Sequence, residues 1–178
     1  MRKKSLLLIV VFAAIFSISA GAYGASSNDY LIYGNSNDFE IAYPKDWSMK
    51  EGVMGTTVMF LSQLENQNDK FRENVNIVVQ DLSKQPMSLD EYTNLSLMQL
   101  KRIITDINIT TSEKTKLANC DAYMVVYTGK QGQYNLKLMQ IWTIKNNNAY
   151  IITYTAENIG FDKYGELVNP MVNSFVIK

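Results

Sequence analysis

Three strand-like runs between Ala122 and Glu157 constrain the fold more than any other feature of the sequence. The runs read AYMVVYTG, YNLKLMQIWTIK and AYIITYTAE, and the polar links KQGQ and NNN join them. Consecutive strands with links this short pair antiparallel. The sequence therefore predicts a β-meander at the centre of an antiparallel sheet.

Both faces of this meander are apolar. In the middle run, the two-residue repeat of a strand places Leu136, Leu138 and Trp142 on one face and Met139 and Ile141 on the other. A sheet with one face in water would alternate apolar and polar residues along each strand. We therefore expect a covering layer on each face.

Two stretches with helical periodicity can supply these layers. The first starts at a Ser-x-x-Glu capping box, Ser88 to Glu91. Its apolar stripe, which spans about 140° of a helix, consists of Leu89, Tyr92, Leu97, Leu100, Ile103 and Ile104. The second stripe consists of Phe161, Tyr164, Val168, Met171, Val172 and Phe175. Pro170 lies within this second stretch and predicts a short or kinked helix.

The remaining apolar runs are strand-like, at residues 30–33, 39–43, 56–61, 74–82 and 107–117. Between two of them, residues 62–72 form an almost wholly polar run that predicts a solvated loop. The order of strands, helix, strands and helix predicts an α+β fold. We expect an α-β-α sandwich whose central antiparallel sheet has about six strands and helices on both faces.

The N-terminus has the layout of a secretory signal peptide. Arg2, Lys3 and Lys4 precede the apolar run 6–18, and Ala20-Gly21-Ala22 offers a small-x-small cleavage site. We expect residues 1–25 to be a signal peptide, residues 26–178 to be one domain, and the protein to be secreted or extracytoplasmic. An uncleaved membrane anchor is the alternative, although the apolar run is shorter than the roughly 20 residues of a spanning helix.

Charge and residue inventory exclude several classes of function. The chain has 17 basic and 17 acidic residues, and three of the basic ones lie in the leader. Residues 26–178 therefore contain 14 basic and 17 acidic residues and have a net charge of −3. This balance argues against nucleic acid or anionic lipid as a partner. The chain has no histidine, no Ser-x-x-Lys, no Cys-x-x-Cys and no glycine-rich phosphate loop. We therefore predict that the protein is not an enzyme and needs no cofactor.

Two oxygen-rich turns are the candidate ligand sites. Asn35, Asn37, Asp38 and Glu40 form the first, and residues 65–69 form the second. Calcium is the metal that suits such oxygen ligands, although neither turn has the spacing of an EF-hand, and ordinary solvated loops have the same composition. Both interpretations stay open.

Cys120 and the meander tyrosines also allow two interpretations each. Cys120 is the only cysteine, so it is either a reactive or intermolecular thiol or a tolerated turn residue. Four tyrosines either line a ligand groove or belong to the core, namely Tyr123, Tyr127, Tyr150 and Tyr154.

Several segments resemble, in the same order along the chain, the PsbP-like family. Phe39 to Trp47 (FEIAYPKDW) resembles the opening strand of that family, which ends in Tyr-Pro with a tryptophan nearby. The strand VNIVV at 75–79, the helix start at Ser88, the tyrosine-rich meander and the closing Asn173-Ser174-Phe175 continue the resemblance.

The resemblance implies an α-β-α sandwich and a non-catalytic protein exported across a membrane. Plant members are extrinsic lumenal subunits of photosystem II that help to retain calcium and chloride. This chain differs in its bacterial-type leader, its lack of histidine and its short stretch before Phe39. We therefore expect a prokaryotic binding or assembly protein at the outer face of the membrane, with a membrane-associated protein complex as partner. The alternative is a small-ligand or calcium carrier.

Overall fold

The computed structural model describes residues 30–34 and 38–178. The predicted signal peptide lies outside these residues. The described elements are β1 (Tyr30–Gly34), β2 (Phe39–Pro44), β3 (Ser48–Glu51), β4 (Val58–Leu61), β5 (Asn74–Asp81), α1 (Leu89–Ile103), β6 (Thr105–Leu117), β7 (Cys120–Gln131), β8 (Tyr134–Lys145), β9 (Asn148–Glu157), α2 (Phe161–Asn173) and β10 (Val176–Ile177).

The described strands form two antiparallel sheets. The larger has seven strands in the order β3-β4-β5-β9-β8-β7-β6, and β7, β8 and β9 are the predicted meander. Its turns use residues with left-handed backbone, since φ is +58° at Gly132, +52° at Asn146 and +58° at Asn147. Glycine and asparagine adopt this conformation at low cost, and tight hairpins require it.

A smaller sheet, which the sequence does not predict, accompanies the predicted central sheet. β2 pairs with β1 and with the C-terminal β10, and these three strands form a separate sheet. β2 therefore does not extend the central sheet, which reaches seven strands because the short β3 pairs with β4. The predicted mixed fold with a large antiparallel sheet is confirmed.

Different layers cover the two faces of the seven-stranded sheet. On one face, α1 contributes Tyr92 and Leu100 to a core that includes Val125, Leu138 and Trp142. On the other face, the second core joins α2, the small sheet and the central strands, and it includes Phe39, Ile41, Phe60, Ile77, Ile152, Tyr164, Val168 and Met171. Helices therefore lie on both sides of the sheet, as the sequence predicts.

The two helices differ in detail from their sequence patterns. The capping box of α1 is present, since Ser88 Oγ accepts from the Glu91 N–H at 3.2 Å and Glu91 Oε2 accepts from the Ser88 N–H at 2.8 Å. However, Ile103 is 52% exposed, whereas the polar Thr93 and Ser96 are buried. The buried face of α1 therefore lies within the arc of the predicted apolar stripe, but polar residues occupy part of it, and Ile103 at the C-terminal end of the helix is exposed. α2 continues through Pro170 to Asn173.

Among the described residues, neither helix has the length and apolar character that membrane crossing requires.

Candidate functional site

A polar cleft of about 380 Å³ opens between the 62–73 connection and the start of α2. The connection contributes Glu65, Asn66, Asn68, Asp69 and Glu73, and the other wall consists of Glu157, Ile159, Gly160 and Lys163. The cleft therefore brings the second predicted oxygen-rich turn to the N-terminal end of a helix.

The connection is more ordered than its polar sequence predicts, because its side-chain oxygens close its own turns. Asp69 Oδ2 accepts from the Glu65 N–H at 2.8 Å, and Asp69 Oδ1 accepts from the Phe71 N–H at 3.0 Å. Asn66 Oδ1 accepts from the Asn68 N–H at 2.9 Å. The Phe71 side chain is buried and anchors the connection in the core beneath α1. The predicted solvated loop is therefore wrong at Phe71, which is buried.

Glu73 is a buried carboxyl group on the wall of the cleft. Its side chain is 5% exposed, and the Ser62 hydroxyl donates to Glu73 Oε2 at 3.2 Å. Burial raises the pKa of Glu73 to about 7, and the neighbouring Asp69 and Glu65 carboxylates raise it further, although hydrogen bonds to the carboxylate oppose this rise. Glu73 therefore exchanges its proton near neutral pH.

Sequence reasoning missed Glu73, because the residue ends a long polar run. The available signal was the two-residue repeat of β5. Glu73 has the same parity as Val75 and Ile77, which lie in the core on the α2 side of the sheet. Extending that repeat by one step places the carboxyl group on the inner face.

The cleft carries more negative than positive charge. Lys163 contributes a positive charge to the wall of the cleft, and Lys163 Nζ lies 2.8 Å from Glu65 Oε1. This hydrogen bond lowers the pKa of Glu65. The carboxyl groups of Asp69, Glu73 and Glu157 line the same cleft. The arrangement suits a ligand or partner group with positive charge.

The family follows from comparison with known proteins. The PsbP family model matches residues 28–177 of the sequence. This chain belongs to the PsbP family. The resemblance that the sequence motifs predict is thus confirmed. A comparison with curated proteins finds no match.

Solved structures show that this PsbP-family chain shares its fold with distant proteins. Cyanobacterial PsbP (CyanoP) from Synechocystis sp. PCC 6803 aligns with a TM-score of 0.61 at 13% identity, over 89% of this chain and 98% of that one. LpqN of Mycobacterium tuberculosis, which is described as involved in cell envelope biogenesis, aligns with a TM-score of 0.60 at 10% identity, over 84% of this chain and 91% of that one. PA94 from Pseudomonas aeruginosa, described as a protein of unknown function and putative regulator, aligns with a TM-score of 0.55 at 13% identity, over 80% of this chain and 92% of that one. At these identities the likeness concerns the fold.

The first predicted calcium turn is only partly described in this PsbP-family structure. Asn35 and Asn37 lie outside the described residues. The Asp38 carbonyl accepts from the Lys178 N–H at 3.0 Å, and Glu40 Oε1 lies 2.7 Å from Lys178 Nζ. Within residues 30–34 and 38–178, no group of three or more acidic, histidine or cysteine side chains is arranged to hold a metal ion. Calcium binding at this turn stays a prediction.

The meander tyrosines belong to the core. Tyr127, Tyr150 and Tyr154 are each less than 5% exposed, and Tyr127 lies on the opposite face of the sheet from the other two. Tyr123 stacks on Trp142 with ring centroids 5.6 Å apart. These positions do not form the common groove that was one of the two interpretations. Cys120 is half-buried at the start of β7, and its role stays a prediction.

Proposed function

We propose that this PsbP-family protein is a non-catalytic extracytoplasmic binding or assembly protein that works at the outer face of the membrane. Its partner is a membrane-associated protein complex. The signal-peptide layout of residues 1–25 supports export. Membership of the PsbP family and the fold shared with LpqN, which is described as involved in cell envelope biogenesis, support a role in this compartment.

The observation that carries the proposal is an exposed apolar side chain at the edge of the acidic cleft. Ile159 is 93% exposed, although isoleucine is one of the residues most often buried. It lies in a well-defined turn, because the Gly160 N–H donates to the Glu157 carbonyl at 3.0 Å and the Asn158 N–H donates to the Asn135 carbonyl at 3.0 Å. The turn holds Ile159 outward beside the carboxyl groups.

The charge of the cleft supports a positively charged occupant. Glu65 is paired with Lys163, whereas Asp69 and Glu157 add negative charge to the walls. A partner segment that presents a lysine or arginine next to an apolar side chain would match both features. Such a segment on a membrane protein complex is the partner that we infer.

The chemistry of the cleft supports binding more than catalysis. Glu73 is poised to exchange a proton near neutral pH, but its hydrogen-bonding partner Ser62 is only 1% exposed. A buried Ser-Glu contact of this kind serves to satisfy the carboxyl group, since a nucleophile must reach its substrate. Demonstrated turnover that depends on Glu73 would overturn the non-catalytic assignment.

Site-specific photo-crosslinking tests the proposal in the source organism. A photo-reactive phenylalanine analogue replaces Ile159 in the full chain, and the matched control carries the analogue at Met98, a 62% exposed apolar residue on α1. We expect one membrane protein to crosslink from position 159 and not from position 98. Glu157→Gln should weaken that crosslink, because it removes charge from the cleft. Equal crosslinking from both positions, or an unchanged crosslink in the Glu157 variant, contradicts the proposed surface.

A further inference from the structure

The face of the sheet beneath α1 contains a buried polar surface that the acidic cleft does not use. Asn74 pairs with Thr155, Asn76 pairs with Thr153, and Thr153 pairs on its other side with Gln140. These five residues, here called the amide platform, are each at most 1% exposed. They therefore occupy two neighbouring rows across three central strands.

The strand repeat places this platform on the α1 side of the sheet. On β8, Gln140 lies between Leu138 and Trp142, which share its face and pack in the core with Tyr92 and Leu100 of α1. On β5, Asn74 and Asn76 alternate with Val75, which lies in the opposite core. The α1 side of the sheet therefore presents polar groups where central strands would ordinarily present apolar ones.

Most polar atoms of the platform have no partner in the described part of the chain. Both amide atoms of Asn76 are unpartnered, and so are Asn74 Oδ1, Gln140 Oε1 and Thr155 Oγ1. Gln140 Nε2 does donate to Thr153 Oγ1 at 3.1 Å. Buried polar groups without a partner destabilise the fold and are uncommon in native proteins, so a cluster of them requires an explanation.

Two neighbouring residues extend this surface. Tyr127 lies in the row of Asn74 and Thr155, because Thr155 pairs with Leu138 and Leu138 pairs with Tyr127. Ser96 is fully buried on the sheet-facing side of α1. The hydroxyl groups of Tyr127 and Ser96 also lack a partner among the described residues. Unpartnered donors and acceptors are thus present on strands β5, β9, β8 and β7 and on α1.

We propose that the amide platform is a binding site for a small neutral molecule rich in hydroxyl or amide groups, which enters when α1 lifts from the sheet. Side-chain amides both donate and accept, and hydroxyl groups do the same, so the complementary molecule offers both kinds of group. The platform contains no charged side chain. A charged ligand would lose its hydration there without an opposite charge to replace it.

The attachment of α1 is consistent with this movement. Two side-chain hydrogen bonds hold its first half, from Trp142 Nε1 to Thr93 Oγ1 at 2.9 Å and from the Tyr92 hydroxyl to Gln80 Oε1 at 3.0 Å. Beyond its C-terminal end, Asp106 has a φ of +54° and the β6 pairing is irregular between Thr105 and Asn108. The chain therefore leaves α1 through an irregular segment instead of continuing directly into a regular ladder.

Amide NMR spectra of the full chain test the proposal with glucose and acetamide as neutral probes and acetate as the charged comparison. We expect glucose or acetamide to shift the backbone signals of residues 74–76 and 153–155, and acetate to leave them unchanged. Thr155→Val and Asn76→Leu should abolish the shifts and raise the Tm by about 2–4 °C each, because an apolar group replaces an unpaired polar one. Asn94→Leu, on the exposed side of α1, should leave the shifts unchanged.

Three outcomes would overturn the proposal. The first is that neither neutral probe, at tens of millimolar, shifts the signals of the platform. The second is that acetate shifts them equally. The third is that Thr155→Val, which keeps the shape of the side chain, lowers the Tm without affecting any probe response, since the hydroxyl would then be satisfied by ordered water alone. The amide platform is independent of the proposed partner surface, so either proposal can fail without the other.

Discussion

The buried carboxyl group of Glu73 predicts how the stability of this protein depends on pH. In the unfolded chain Glu73 has an ordinary pKa of 4.5, whereas burial raises the pKa to about 7 in the folded protein. Below pH 4.5 the carboxyl is protonated in both states. Between pH 4.5 and 7 the unfolded chain releases the proton while the folded protein retains it, so the free energy of unfolding falls as the pH rises.

The size of this effect follows from the difference between the two pKa values. Each pH unit between 4.5 and 7 corresponds to about 1.4 kcal/mol, so the complete loss is about 3 kcal/mol at pH 8. The opening of the cleft to solvent reduces this value, and we expect a measured loss of about 2–3 kcal/mol. For a chain of this size, that corresponds to a fall in Tm of about 4–12 °C between pH 4.5 and pH 8.

Glu73→Gln isolates the effect, because glutamine keeps the shape and can still accept from the Ser62 hydroxyl. The variant should lose most of the pH dependence and should be more stable than the wild type at pH 8 by about 2–3 kcal/mol. At pH 4.5 the two proteins should be nearly equal. The chain contains no histidine, so few other groups titrate in this range.

Urea unfolding, followed by the fluorescence of Trp47 and Trp142, measures the free energy of unfolding at pH 4.5, 6, 7 and 8 and so tests the prediction. Glu113→Gln, at an exposed position of β6, is the matched control and should keep the wild-type pH dependence. If Glu73→Gln showed the same fall in stability between pH 4.5 and 8 as the wild type, the assignment of that fall to Glu73 would be refuted.

Three further predictions concern a helix cap, two glycines and the predicted calcium turn. Ser88→Ala removes the capping box of α1 and should cost about 1 kcal/mol in urea unfolding. Gly129→Ala should destabilise by about 1–3 kcal/mol, because the added Cβ would overlap a methyl carbon of Ile104. Gly165→Ala, which has open space in α2, should stabilise by about 0.5–1 kcal/mol. If the turn at 35–40 binds calcium, millimolar calcium raises the Tm, and an unchanged Tm removes the calcium-carrier hypothesis.

Local patterns in the sequence predict the parts of the fold that local physics determines. The short links fix the antiparallel meander, the Ser88–Glu91 box fixes the start of α1, and the two apolar faces of β8 require a layer on each side. The separate sheet of β1, β2 and β10 could not be predicted in the same way. β2 pairs with a strand at the far end of the chain, and nothing in the FEIAYP pattern specifies that partner.

The candidate sites were less predictable, because each contains polar residues in buried positions. The predicted stripe of α1 counted apolar residues only, so it included the exposed Ile103 and passed over the buried Thr93 and Ser96. Glu73 was also missed, because it is a polar residue at the end of a polar run and its burial does not follow from its residue type. The oxygen-rich turn at 65–69 was identified, but its oxygens bond to the connection itself, which composition alone does not reveal.

Strand β5 links the two sites, although they lie on opposite faces of the sheet. Glu73 and Asn74 are consecutive, and the strand repeat directs the first toward α2 and the second toward α1. A central strand covered on both faces gains most stability from apolar residues, yet Glu73, Asn74 and Asn76 are all at most 5% exposed. A sequence departs from the composition of a core mainly where function requires it. These departures fall at and just before one end of β5, beside the 62–73 connection, so the two proposed sites share this part of the chain.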